Sequence, residues 1–595
     1  MRRLILAALV AFLLAATAAA MTPASGSAQA TTTVRMAITQ NDKNWTPYTY
    51  QTGYPGYNVL TLMYDTLLWH DKDNQVIPWL AEEYQFSSDG LTVDLTLRDG
   101  VKWHDGRDLT AEDVKFTYDY IQEFNHGRFT PEVKGVLESV TVVAPNKVSM
   151  KLLRPSASFA TAPLADVTIL PKHIWENIRE PYPSQKGEQG LAVGSGPYKM
   201  AAYDVDKQYR LVANADYFMG KPAVDEIILP IIPDANAQIL ALRGGEVDAV
   251  APNLPPELVK ELSGAPGINV ATGPDYTTSA ITMNTARAPF DQLGFRQAVG
   301  FAIDVEELVR TVLADFGTPG SPGWVHPESP FYKQGLRHGF DSSRANTLLD
   351  ELGYTNRDDA GTRQSPTGKK LEFQILANSG NPIEVRTAEV IGSMLGRVGI
   401  KASVVALTGS AKAARTGGFG GQNADRDFDF NMAGATAPVQ DDPDRLRTIF
   451  ETWNPVSPNL NAGKWSNPDF DAALNAQSRE LDPDKRQRFI DQMQDILATQ
   501  RPSVVLYYRN GAYAHRSGAY DSWVYVRGKG TVDKISFVSA SEEGTDGDRA
   551  ASAGASQDDG GGGGTGAALG AIAGALLVGG GVVFYRSRRR GAEQE

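Results

Sequence analysis

The shortest period along this chain is two. Leu91, Val93, Leu95 and Leu97 are apolar, and Thr92, Asp94 and Thr96 between them are polar. That alternation predicts a strand with one buried face. Ser88-Asp89-Gly90 before it and Asp99-Gly100 after it are turn chemistry. The period then lengthens. Thr110 can cap a helix, Asp113 three residues on completes a capping box, and Val114, Tyr118 and Ile121 follow at helical spacing. The same reading predicts strands over 32–39 and 227–232, a hairpin over 140–152 about Pro145-Asn146, and a helix over 235–242 stopped by Gly244-Gly245. Long helices are expected over 295–313, 383–398 and 483–499, and strands over 370–376, 400–406 and 503–508. Strands alternating with helices over 280–508 indicate an α/β lobe.

Both ends depart from globular patterning. Arg2 and Arg3 precede an apolar run over 4–20, and Ala28-Gln29-Ala30 is a small-residue cleavage site. Residues 1–30 therefore read as a secretory signal peptide, with a retained anchor helix as the other reading. Residues 539–564 are rich in Gly, Ser, Ala and Asp and end in five glycines, a flexible linker. Residues 565–585 carry no charge and are followed by Arg586, Arg588, Arg589 and Arg590. At about 1.5 Å per residue such a helix spans a hydrocarbon core of roughly 30 Å, and the arginines put the tail 586–595 in the cytoplasm. Gly566, Gly570 and Gly574 share one face and permit a close helix contact.

Composition narrows the classes. The 595 residues exceed a single domain by the usual prior. The net charge of −13 disfavours nucleic acid and anionic lipid as partners. There is no cysteine, hence no disulfide, no thiolate metal site, no cysteine nucleophile and no lipid-modified cysteine. The seven histidines are scattered singly, and neither a zinc-protease nor a Walker A motif is present. Gly194-Ser195-Gly196 lacks the glycine a nucleophile elbow needs, because position 193 is Val. It reads instead as a turn. Trp103-His104-Asp105 has two readings: a catalytic or metal site, or a corner in which Gly100 and Gly106 supply unusual backbone angles, Trp103 packs and Asp105 bonds loop amides. A secreted hydrolase is disfavoured for want of any nucleophile–base motif, and no enzyme activity, cofactor or metal is expected.

Several segments resemble the extracellular solute-binding proteins of the oligopeptide/dipeptide/nickel class, family 5. The most specific is Leu97-Arg98-Asp99-Gly100-Val101-Lys102-Trp103-His104-Asp105-Gly106 followed by Leu109-Thr110-Ala111-Glu112-Asp113-Val114. Further matches are Ile169-Leu170-Pro171-Lys172-His173, Gly194 to Tyr198, Gly220-Lys221-Pro222, Gly245-Glu246-Val247-Asp248 and Phe295-Arg296-Gln297-Ala298-Val299 with Ala302-Ile303-Asp304. The resemblance implies an α/β, two-lobed periplasmic-binding-protein fold of type II with an extra inserted domain. The first lobe would comprise 31–67, 190–285 and 505–538, the inserted domain 68–189, and the second lobe 286–504. It also implies a binding protein that hands a small solute, a di- or oligopeptide, to the permease subunits of an ABC importer. The alternative is a surface receptor or sensor for a sugar, opine or metal chelate.

A peptide buried between lobes needs aromatic walls and opposite charges for its termini. Candidates for the walls are Trp45, Tyr50, Tyr54 and Tyr57 from the first lobe and Trp324 and Trp453 from the second. Candidates for the amine are Asp441 and Asp442. In peptide-binding relatives the amine-binding Asp lies in a Trp-containing loop shortly before an Asp-Pro. The corresponding stretch here, 434–443, has no Trp and keeps its acidic residues only beside Pro443.

Overall fold

The computed structural model describes residues 32–39, 47–48, 56–124, 133–179, 192–204, 206–250, 254–417, 426–435, 442–452 and 461–538. The signal segment, the linker and the predicted membrane helix lie outside them. Among the described residues no helix is long and apolar enough to cross a membrane.

Two long antiparallel strands, Ile268–Met283 and Ser503–Arg516, form a spine through an eleven-stranded sheet. At one end of the spine, Phe430–Ala435, Glu372–Asn378 and Lys401–Leu407 are added in turn. At the other come Ala249–Val250, Thr33–Ala37, Glu226–Pro230, Gln208–Ala213 and Tyr198–Asp204. Each end has its own apolar core. One is built on Phe290, Phe295, Phe430 and Ile375, the other on Val34, Leu211, Ile227 and Tyr209. Two lobes follow, joined by continuous strands.

The strand predicted over 503–508 therefore does not stop at Tyr508 but runs on to Arg516, because the other lobe pairs with its second half. The helix predicted over 295–313 is two, Leu293–Ala302 and Val305–Val312. Asp304 breaks it: its carboxylate accepts from the amides of Glu306 and Glu307 at 3.1 and 2.9 Å and starts the second helix. Apolar periodicity does not register such a restart.

A four-stranded antiparallel sheet, in the order Ala81–Phe86, Thr92–Leu97, Lys147–Leu152, Leu137–Ala144, is separate from the spine. The helix Ala111–Glu123 packs with it and begins with the Thr110–Asp113 capping box. The Trp-His-Asp segment is a corner. Trp103 is buried; Asp105 accepts from the Arg107 amide at 3.2 Å and meets His173 Nε2 at 2.7 Å. His104 ties the corner to the first lobe: its Nδ1 accepts from the Gly194 amide at 3.2 Å and its Nε2 donates to the Gly196 carbonyl at 3.0 Å. Burial lowers its pKa to about 4. Gly194 is required by proximity, since a Cβ there would stand 1.9 Å from the Met63 carbonyl oxygen. The segment that follows the strand Lys147–Leu152 touches the second lobe, where the Ala157 amide donates to the Ser478 carbonyl at 2.9 Å and the Ser158 hydroxyl donates to Asp444 at 3.3 Å.

Candidate ligand site between the lobes

The spine is irregular where the lobes meet. Pairing runs from Ile268 opposite Arg516 to Pro274 opposite Asn510, breaks, and resumes with Thr278 opposite Tyr508. Asp275, Tyr276 and Thr277 occupy the break, and Pro274 has no amide to give the ladder. Tyr276 is held at a φ of 54°, a strained value for a bulky residue, which the ladder on both sides enforces. The Asp275 carboxylate accepts from the Thr277 amide at 2.7 Å. It keeps solvent-accessible surface, yet burial raises its pKa against the opposing influence of Arg509. Asp275 is thus partly accessible and crowded by protein at the crossing of the two lobes.

Both lobes contribute walls. From the first lobe, Tyr525 lies so close to the spine that a Cβ at Gly273 would be 2.6 Å from its ring. Its hydroxyl donates to the Pro274 carbonyl at 3.3 Å. Burial raises the phenol pKa, and the negative charges of Asp275 and Glu328 raise it further. From the second lobe comes His326, buried between Tyr276 and Tyr508 with ring centroids at 5.1 and 4.6 Å. Burial, then the positive charge of Arg527, lowers its pKa to about 4, so the ring is neutral at physiological pH. The arrangement offers aromatic walls, donors and both signs of charge, without a nucleophile–base pair. No cluster of His, Asp and Glu able to hold a metal occurs among the described residues.

The residues singled out from sequence are placed unevenly. Trp45, Tyr50, Tyr54, Asp441 and Trp453 fall outside the described residues. Tyr57 is buried in the helix Gly56–Met63 and donates to Asp166 at 2.7 Å. Trp324, two residues before His326, is buried against Phe450 and donates to the Ser503 hydroxyl at 2.9 Å. Asp442 accepts from Arg486 at 2.6 Å and caps the turn Pro443–Arg445. Asp275, Tyr276, His326, Tyr508, Tyr525 and Arg527 were not anticipated. The available signal was Gly273-Pro274-Asp275, which reads as a turn between strands but is a bulge within one.

Two lobes on shared strands, with aromatic and charged side chains gathered at the crossing, are the architecture of a solute-binding protein of the clamp type. Residues 75–455 match the bacterial extracellular solute-binding proteins, family 5 Middle, and the chain belongs to that family. It is 27% identical over 477 residues to the oligopeptide-binding protein AppA of Bacillus subtilis, covering 78% of this chain and 84% of that one. It is 27% identical over 469 residues to the glutathione-binding protein GsiB of Salmonella typhi, covering 78% and 87%. The solved structure of Bacillus subtilis AppA in complex with a nonapeptide superposes with a TM-score of 0.72 at 25% identity, covering 85% of this chain and 98% of that one. The family comprises substrate-binding transport proteins, not enzymes.

Proposed function

We propose that this protein captures a di- or oligopeptide in the cleft between its lobes and delivers it to the permease subunits of an ABC importer. The observation that carries the reading is the break at Asp275–Thr277, where aromatic walls and charges of both signs converge on the crossing strands. Closure over a solute there excludes water and strengthens its polar contacts. A peptide suits such a cleft because aromatic faces accept varied side chains while fixed polar groups hold the backbone and termini. The likeness to AppA, named as an oligopeptide-binding protein, and to GsiB, named as a glutathione-binding protein, supports a peptide. The lobe boundaries 31–67, 190–285 and 505–538 against 286–504, with 68–189 inserted, are part of the proposal. So is residence at the outer face of the cytoplasmic membrane, with residues 565–585 as anchor and 539–564 as a tether of about 28 Å r.m.s. span. The tether would keep the clamp at high effective concentration for the permease.

The test is native mass spectrometry of the full chain purified from its own host in detergent micelles, with the released ligand identified. A ladder of short peptides is the expected result. A single non-peptide mass would replace the peptide reading with capture of a sugar, opine or chelate.

A further inference from the structure

The unit built on the four-stranded sheet is bolted to the first lobe. Tyr57, in the first-lobe helix Gly56–Met63, donates to Asp166 at 2.7 Å, and Trp69 donates to Asp533 at 3.2 Å. Trp79 and Ser195 both donate to the buried carboxylate of Asp65, at 2.8 and 3.0 Å. Groups bonded this way in a close-packed interior move together.

The same unit meets the second lobe at a place where no residue belongs to the spine. The segment 154–158 is fixed in its own unit by the next residue, Phe159, which is fully buried in the core under the small sheet. Opposite it ends the helix Pro468–Arg479. The last carbonyls of a helix have no partner within it. The Ser478 carbonyl takes the Ala157 amide at 2.9 Å. The Arg154 guanidinium donates to the Ser478 hydroxyl at 3.3 Å, where a cation suits the negative end of the helix. Asp444 accepts from its own lobe on Oδ1, from Gln477 at 2.8 Å and Arg447 at 3.4 Å. Its Oδ2 accepts from Ser158 at 3.3 Å. Leu481, a large apolar side chain still 39% exposed, lies over Gly90, where a Cβ would stand 2.6 Å from its Cδ1.

Opening a clamp rotates one lobe against the other about the strands they share. A contact made away from those strands is broken by that rotation, and its donors and acceptors return to water. We propose that Arg154, Ala157 and Ser158, with Gly90 as the seat of Leu481, form a clasp that sets the closed-to-open ratio of the clamp. Both sides of the clasp are protein, so it favours the closed form with or without a solute. It therefore strengthens the binding of every solute by the same factor and selects among none. The inference rests on the two-lobed clamp and not on the peptide reading.

The experiment uses the absence of native cysteine. Val143, 64% exposed on the outer strand of the small sheet, and Arg488, exposed on the helix Pro483–Gln500, are changed in the full chain as Val143→Cys and Arg488→Cys and labelled with nitroxides. Pulsed electron paramagnetic resonance in detergent micelles, with no solute added, reads the distance between them. The labelled parent is expected to show a dominant short distance. Ser158→Asp sets a carboxylate against Asp444 and should lower the short-to-long ratio by about tenfold or more. Leu481→Ser removes the apolar contact and should lower it by roughly threefold. Both changes are expected with the circular dichroism of the parent. Long distances alone in the parent, or a distribution that neither variant alters, overturns the clasp. If Ser158→Asp does not fold, Leu481→Ser, altered at an exposed position, decides the matter: a ratio equal to the parent's overturns the proposal. No solute enters the measurement, so its failure leaves the peptide reading standing.

Discussion

The charge pair between Asp65 and Lys534 gives a quantitative test of what holds the first lobe together. Both side chains are fully buried, and the ammonium lies 2.6 Å from the Asp65 Oδ1 and 3.0 Å from the Tyr64 carbonyl. Asp65 also accepts from Trp79 at 2.8 Å, Tyr217 at 3.0 Å and Ser195 at 3.0 Å. Residues from four separate stretches, around Trp79, Ser195, Tyr217 and Lys534, thus share one carboxylate. Burial lowers the Lys534 pKa, with Asp65 opposing it. Lys534→Met leaves a carboxylate in a fully buried site. Breaking a buried pair on one side costs about 3–5 kcal/mol, and the three remaining donors place this case near 3 kcal/mol. Asp65→Asn strands the ammonium and should cost about as much. Removing both charges together should restore stability to within about 1–2 kcal/mol of the wild type, because the pair as a unit gains little over apolar packing. The double-mutant cycle is read from urea unfolding of the full chain, followed by tryptophan fluorescence. Trp69 is a local reporter, with its ring centroid 4.3 Å from the ammonium. Single variants that each cost under about 1 kcal/mol and add without coupling would refute the reasoning.

Stability should fall on acidification. The pKa of His326 is lowered from 6.5 to about 4 and that of His338 from 6.5 to about 3 by burial, aided by Arg527 and Arg501 respectively. Below pH 6.5 the unfolded chain takes up protons that the folded chain refuses, so full stability is present above 6.5. It is lost as pH falls toward 4, by roughly 3 kcal/mol for His326 alone; a flat urea midpoint from pH 7 to 5 would contradict this. Gly194→Ala should destabilise by more than about 2 kcal/mol, since its Cβ would stand 1.9 Å from the Met63 oxygen and backbone must move; a Tm equal to that of the wild type would remove the steric argument. Asp442→Asn should lower stability by about 2 kcal/mol through its lost pair with Arg486. Loss of peptide affinity at unchanged Tm would instead return Asp442 to the role of amine partner. Deleting residues after Val538 should release a folded, ligand-binding protein into the medium, whereas an insoluble product would count against the tether.

The local elements were legible because their causes are local. The strand Thr92–Leu97, the Thr110–Asp113 cap, the hairpin at Asn146 and the helix ended at Gly245 each follow from alternation, a capping side chain or a turn residue within a few positions. The Trp103-His104-Asp105 corner was readable as structural, and its run carried the family. What remained hidden lies between distant residues. Nothing in 268–283 alone says that Pro274 and Asp275 interrupt a strand rather than end one; the ladder with Ser503–Arg516 decides that. His326, Arg527 and Asp275 lie some 50 to 250 residues apart, and each alone is unremarkable as a histidine, arginine or aspartate. Tyr57 and Trp324 show the converse, since an aromatic suited to a ligand wall is equally suited to a core, and only burial tells the two apart. Sequence sets propensity, period and charge along the chain. A cleft is a relation between surfaces, and only tertiary packing brings its walls face to face.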